Sequence, residues 1–441
     1  MTSNSITDKL LRKTAAYVAG FELNGSEDKV TAARPWQTWL DAELGFRNHW
    51  YPAEASRNIR DGDHKPITIL GEELLFIRRA GRLFAIEDRC SHRGTRFSKR
   101  PLHYTDDTIT CWHHAFVFNL DDGRIRCILN DPDSPLCGQT GIKSYPVREE
   151  KGVVFVFIGD IEPPPLVEDV PPGFLDDDVA VCVADPYIVE SNWRLGCEGG
   201  YDPGHHFIHN WSLHSINARL PMSFGWVSER DGILKTARYE TREHGAKGFT
   251  RFGGETAPEM TAVIPGRNGS APKEVVISIA KEVSPEEVFA IHKDIIDTTV
   301  GLWMPCGLKV DPWPFKGVVH NEFYVPRDAN SHYYFQCGWK RVANDEERKD
   351  WEEGELGQVR WKVPVVDCFT VDDAMAREGI AKFYGEEDGW NQEQLVRADV
   401  ELLMWRVFAG EHCRGVQKEQ HVRGLFKRNF PPAGKSDTHN S

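Results

Sequence analysis

Two short cysteine–histidine pairs stand out in this 441-residue chain. Cys90-Ser91-His92 is followed, after eighteen residues, by Cys111-Trp112-His113-His114. Each pair follows a strand-like run and falls where a turn is expected, so two hairpin tips can converge on one metal centre. Two centres suit two thiolates and two imidazoles. One is tetrahedral structural zinc. The other is an iron–sulfur cluster with both thiolates on one iron and both imidazoles on the other, an arrangement that raises the reduction potential. The remaining cysteines are scattered and form no disulfide framework.

A second constellation lies downstream. Asn192-Trp193-Arg194 leads into Glu198, Asp202, His205 and His209. Asp202-Pro203 reads as the N-cap and first residue of a helix. That helix would carry His205 and His209 at i and i+4 on one face. Two imidazoles on one face and a carboxylate from elsewhere make the facial triad of non-haem Fe(II) oxygenases, which leaves coordination positions open for O₂. A His-x₃-His pair alone arises readily by chance and reads as an ordinary helix; behind the Cys–His tips it reads as a second metal site. The carboxylate candidates are Asp372 and Asp373, near the start of a helical stretch in Phe369–Glu378. Either can cap that helix while the other ligates, and the periodicity does not choose.

These residues need scaffolds. Short strand-like runs at 66–70, 74–78, 83–87, 108–111, 116–120 and 153–158, with a hairpin signal at Asp121-Asp122-Gly123, predict an all-β unit over residues 46–160. Pro163-Pro164-Pro165 and Pro171-Pro172-Gly173 mark a boundary. Beyond it, strand-like runs at 275–280, 308–310 and 333–336 mix with helical periodicity at 345–362, 371–385 and 391–409, which predicts an α+β unit over 161–430. Asn344–Glu355 reads as a solvated helix face. Residues 1–45 are expected to be a helical segment packing on the second unit, and 431–441 a disordered tail.

Composition narrows the function. Lys+Arg is 53 against 67 Asp+Glu, a net charge of −14, which argues against nucleic acid or an anionic membrane as partner. No run approaches the ~20 apolar residues of a membrane helix, and Met1–Lys13 lacks a signal-peptide core, so the expected location is cytoplasmic. No glycine-rich dinucleotide fingerprint is present.

Around these sites the chain resembles the α (terminal oxygenase) subunit of Rieske non-haem iron aromatic-ring-hydroxylating oxygenases, and is similar to their homotrimeric carbazole 1,9a-dioxygenase and 2-oxoquinoline 8-monooxygenase group. The resemblance is carried by Leu44–Pro52, the tips with Arg93-Gly94 and Phe116, Ile109–Trp112, Ser191–Leu195, His332–Gln336, Ala343–Arg348 and Ala376-Arg377-Glu378, and it runs over roughly residues 42–423. It implies an all-β Rieske [2Fe–2S] domain followed by a larger α+β catalytic domain, an antiparallel sheet with helices in a helix-grip-like arrangement. It implies that Cys90 and Cys111 bind one cluster iron and His92 and His114 the other, with His113 a packed neighbour. It implies mononuclear iron on His205, His209 and Asp373, and an Asp202 carboxylate that bridges a cluster histidine of one subunit to His205 of the next in a homotrimer. Gly199, Gly200, His206, Val300, Trp313 and Phe369 match pocket positions. Gly199 and His206 depart from the family pattern, and His206 would add a titratable group beside the iron. The implied activity is O₂-dependent hydroxylation of an aromatic or heteroaromatic compound, dioxygenation favoured over monooxygenation or dealkylation, with a ferredoxin and an NAD(P)H-dependent reductase as electron partners. A Rieske electron carrier without catalysis and a zinc-stapled binding protein are the competing classes.

Overall fold

The strand-like runs near the Cys–His tips form three small antiparallel sheets in the computed structural model, which describes residues 34–202, 204–211, 238–241, 246–252, 259–267, 269–278, 298–396 and 399–423. Their strands are β1 (His49–Ala55), β2 (His64–Ile69), β3 (Glu72–Arg79), β4 (Arg82–Glu87), β5 (Thr108–Thr110), β6 (Phe116–Asn119), β7 (Ile125–Ile128), β8 (Ser144–Tyr145), β9 (Val147–Glu150) and β10 (Val153–Ile158). The sheets run β1-β10-β9, β2-β3-β4-β8 and β5-β6-β7. Every residue of β10 is buried, which is why its apolar run does not alternate. The β6–β7 turn falls at the expected hairpin: Gly123 has φ +74°, and a Cβ there would lie 2.1 Å from the Ile142 carbonyl oxygen. Leu75, Ile77, Ile86, Phe97, Ile109 and Phe118 form the core, and Cys90 and Cys111 sit within it.

This unit spans Leu44–Pro163 and takes in the described residues from Gln417 onward. The sequence reading carried the second unit to residue 430; instead the chain returns to the first at Gln417. The physical reason is a buried polar cluster: Gln417 donates to the Leu70 carbonyl (3.1 Å) and to Glu72 (3.1 Å), and accepts from Arg47 (2.8 Å). Glu72 also binds Lys143 (2.6 Å) and the Tyr145 hydroxyl (2.7 Å).

The other unit holds residues 34–43 and Pro164–Val416. Its strands are β11 (Val179–Val183), β12 (Tyr187–Val189), β13 (Arg238–Thr241), β14 (Lys247–Phe252), β15 (Glu259–Ile264), β16 (Lys273–Ser278), β17 (Thr299–Trp303), β18 (Gly307–Asp311), β19 (Val318–Pro326) and β20 (His332–Arg341). An eight-stranded antiparallel sheet runs β11-β20-β19-β18-β17-β14-β13, with β12 also on β20, while β15 and β16 pair separately. The helix Trp193–Tyr201, capped by Asn192, packs on β17, β18 and β19. Gly200 allows the approach, since a Cβ there would lie 1.9 Å from the Tyr324 hydroxyl. The expected solvated helix is Asp345–Glu352, with Trp351 its one buried residue. The helix expected to continue to 362 changes character: Leu356–Trp361 and Val365–Phe369 are π-helical, and regular α-helix resumes over Thr370–Gly385. Val400–His412 replaces the longer expected 391–409 helix. Among the described residues no helix is long and apolar enough to cross a membrane. The expected helix in residues 1–33 and the tail 431–441 lie outside the described residues.

Candidate metal centres

The two tips are built alike. The Cys90 N–H donates to the Thr95 carbonyl (2.9 Å), and the Gly94 N–H returns a bond to the Cys90 carbonyl (2.9 Å). In the second tip the Cys111 N–H donates to the Phe116 carbonyl (2.7 Å), and the Ala115 N–H returns to the Cys111 carbonyl (3.0 Å). Both loops need a left-handed residue at the fourth place after cysteine, met by Gly94 (φ +76°) and Ala115 (φ +59°). The result brings Cys90 and Cys111 into hydrogen-bond contact. That contact pushes the Cys90 thiol up and the Cys111 thiol down. The His92 and His114 rings lie 4.6 Å apart and nearly perpendicular, and Phe116 stacks on His92 at 4.6 Å. His113 stands apart from this set: its Nδ1 meets the Thr95 hydroxyl at 3.1 Å, and its ring packs on His114. Two thiols and two imidazoles converging from two tips fit a [2Fe–2S] cluster with mixed ligation.

The second constellation comes together differently from the sequence expectation. The α-helix ends at Asp202, and His205–Trp211 is 3₁₀-helical, so His205 and His209 do not share an α-helical stripe. Their rings are 5.6 Å apart and close to perpendicular. Both Nε2 atoms nevertheless face Asp373 Oδ1, at 3.6 Å each. The three ligand atoms lie within 4.8 Å of one another. Asp372 takes the other side of His209, its Oδ2 3.5 Å from Nδ1. Burial lowers His209, but Asp373 and Asp372 outweigh it and push the ring up to about 9. Burial raises Asp373, but His209 and Arg377 hold it well below the usual carboxylate range. Two imidazoles and one ionised carboxylate, in a half-open cluster, fit a divalent iron.

Asp202 requires a correction. Its carboxylate was expected to accept the His205 ring N–H; within this chain the backbone carbonyl of Asp202 does so (2.5 Å), while its carboxylate accepts from the Gly204 N–H (2.6 Å). At Asp202, just past the end of the α-helix, it is the carbonyl and not the side chain that faces the ring. The contact still fixes the tautomer that points Nε2 at Asp373.

Phe369 stacks on His209 at 3.9 Å, and Trp313 lies 5.0 Å from Phe369. Val300 is half-buried on β17, opposite Val310. A Cβ on Gly199 would come 3.3 Å from Arg377 Nε. The His206 side chain lies outside the described residues. Glu198 is structural: it accepts from Arg406 Nε (2.8 Å) and Nη2 (2.7 Å) and from Trp39 (2.8 Å).

Sequence reasoning missed the polar face behind the iron site. His320, Glu322 and Tyr324 alternate along β19, every residue of which is buried, and Tyr334 and Gln336 face them from β20. Glu322 accepts from the Tyr324 hydroxyl and bonds His320 Nε2 (2.9 Å). Arg377, one turn after Asp373, stacks over Tyr324 (5.0 Å) and Tyr334 (4.6 Å). The consecutive polar residues His320-Asn321-Glu322, inside a strand-like run flanked by Val318-Val319 and Phe323–Val325, were the available signal.

Residues 49–146 match the Rieske [2Fe–2S] domain, and residues 157–417 match the homotrimeric ring hydroxylase family. The chain is 38% identical over 401 residues to the carbazole 1,9a-dioxygenase terminal oxygenase component of Metapseudomonas resinovorans, covering 91% of this chain and 100% of that one. It is 37% identical to its counterpart from a Sphingomonas species, covering 87% and 96%. Among solved structures it resembles the reduced oxygenase–ferredoxin complex of carbazole 1,9a-dioxygenase (TM-score 0.77, 36% identity, 92% of this chain and 100% of that one). It also resembles the terminal oxygenase from Nocardioides aromaticivorans (TM-score 0.74, 38% identity, 87% and 99%). With the two Cys–His tips, the two-histidine, one-carboxylate cluster and matches along both units, the chain belongs to the homotrimeric ring hydroxylases, as the terminal oxygenase of a Rieske non-haem iron system.

Proposed function

We propose that His205, His209 and Asp373 hold the mononuclear iron, that Cys90, His92, Cys111 and His114 hold the cluster, and that the enzyme dioxygenates a fused aromatic or N-heteroaromatic compound. The observation that carries this is the convergence of three ligand atoms within 4.8 Å beside a stacked aromatic wall, Phe369 and Trp313. Iron(II) in that site supplies reductive activation of O₂, with further electrons from the cluster. The chain's own residues do the rest. The Asp202 carbonyl and Asp372 orient the two imidazoles, and Phe369 and Trp313 give a flat substrate an apolar surface that excludes water. Asp202 is the residue we assign to link the iron site to a cluster histidine of the neighbouring subunit. Electrons reach the protein from NAD(P)H through reductase and ferredoxin, a supply available in the cytoplasm.

The relatives named for carbazole support a tricyclic substrate. The polar His320 beside Trp313 (5.2 Å), its buried Nδ1 without a hydrogen-bond partner, favours one that carries a hydrogen-bonding group. The test is a single turnover of chemically reduced protein under ¹⁸O₂ with a panel of fused arenes, N-heterocycles and substituted rings. Two labelled atoms in one product are expected. One labelled atom would make the enzyme a monooxygenase or dealkylase, and no labelled product from any fused ring would overturn the substrate class.

A further inference from the structure

Arg377 is buried at 2% exposure, and none of its three guanidinium nitrogens has a hydrogen-bond partner in the protein. Desolvating a cation there is costly, and an apolar side chain could fill the space between Tyr324 and Tyr334 without that cost. Packing therefore does not explain the charge. Its neighbours do. Arg377 Nη2 lies 3.8 Å from Asp373 Oδ1 and 3.9 Å from Glu322 Oε2. Asp373 Oδ1 is the same oxygen that faces both His205 and His209 at 3.6 Å.

We infer that Arg377 is a positioning residue that holds the Asp373 carboxylate in one orientation and draws negative charge from the oxygen that meets the iron, with Glu322 setting how strongly it does so. This rests on the mononuclear-iron reading above. The electrostatic sense follows from the geometry. A cation beside Oδ1 weakens its donation and disfavours the ferric state. Glu322 divides the attention of Arg377 and so moderates the effect. An iron(II) held by His205, His209 and Asp373 would, with Arg377 beside Asp373 Oδ1, oxidise more slowly in air before substrate arrives.

The experiment uses full-length, cluster-loaded protein with Arg377→Met, Arg377→Lys and Glu322→Gln. Methionine keeps the contact with both tyrosine rings and removes the charge. The readouts are iron per chain, the visible cluster spectrum, the electron paramagnetic resonance signal of the nitric oxide adduct of the mononuclear iron, and the rate at which that iron oxidises in air without substrate. Arg377→Met is expected to keep the cluster spectrum, shift the nitrosyl signal and oxidise about 10-fold faster. Arg377→Lys is expected to restore both toward the parent. Glu322→Gln is expected to act in the opposite direction, with slower oxidation and easier iron loss, and it keeps the idea testable should Arg377→Met fail to fold. Parent-like signal and rate in a folded Arg377→Met, or a Glu322→Gln change of the same sign, would overturn the inference. A protein whose third iron survives Asp373→Ala would instead overturn the site reading beneath it.

Discussion

Asp372 and Asp373 are neighbours in sequence, yet the helix turns them to opposite nitrogens of one imidazole. Helical periodicity alone leaves the choice between them open, because it places both near the first turn. The family resemblance picks Asp373, the one whose Oδ1 faces both His205 and His209. Asp373→Ala should therefore lose mononuclear iron and keep the visible cluster spectrum; equal loss of both, read by metal analysis and absorbance, would indicate misfolding instead. Asp372→Asn should retain the ligand set but weaken iron retention about 10–100-fold, measured by competition with a chelator, because it removes the carboxylate that orients His209. At the other centre, Cys90→Ser should abolish the visible spectrum. The Cys–His spacing was legible from residue types alone. The Asp202 contact was not, since a backbone carbonyl leaves no trace in a sequence of side chains.

At the scale of elements, six of the ten strands of the first unit, β2 to β6 and β10, were readable almost to their ends, because short β-runs between glycine turns are a local signal; β1, β7, β8 and β9 were not read. The π-helical stretches before Asp373 were not, although Pro364 between them, which has no N–H to donate, marks a break from ordinary helix; they arise where Trp361, Val365 and Phe369 must all reach one core. The first tip and the β6–β7 turn offer a graded test of backbone strain. Gly94→Ala should cost about 1–2 kcal/mol, since its Cβ would meet only the Arg89 side chain at 3.8 Å and the penalty is the left-handed backbone. Gly123→Ala should cost more, because it adds the collision with the Ile142 carbonyl. Thermal melts of both variants, followed at the cluster absorbance, would rank them; the reverse order would contradict this account.

For the whole molecule, the buried Glu72 ties distant segments together. Burial raises its carboxyl, but Lys143 and Arg47 outweigh that and hold it at about 2 against an ordinary 4.5. The folded value lies below the unfolded one, so the stabilisation is complete above pH 4.5 and is lost as pH falls toward 2. Glu72→Gln should destabilise the first unit by about 3–5 kcal/mol at neutral pH and flatten its acid dependence, read by denaturant melts at several pH values. The α+β organisation and the early all-β unit were evident from the sequence because each is written in contiguous stretches. The return of the chain at Gln417 was not, because it depends on partners some 345 to 370 positions earlier.

That return has a consequence for biosynthesis. A ribosome releases residues 44–163 long before it reaches 417, so the cluster-bearing unit must wait with its Arg47–Glu72–Lys143 ion group lacking the amide that caps it. The part of the protein translated early is finished late. An expression fragment cut at the proline run would omit that cap, and a truncation that removes Gln417 would take it from the cluster unit, not from the catalytic one that precedes it in the chain.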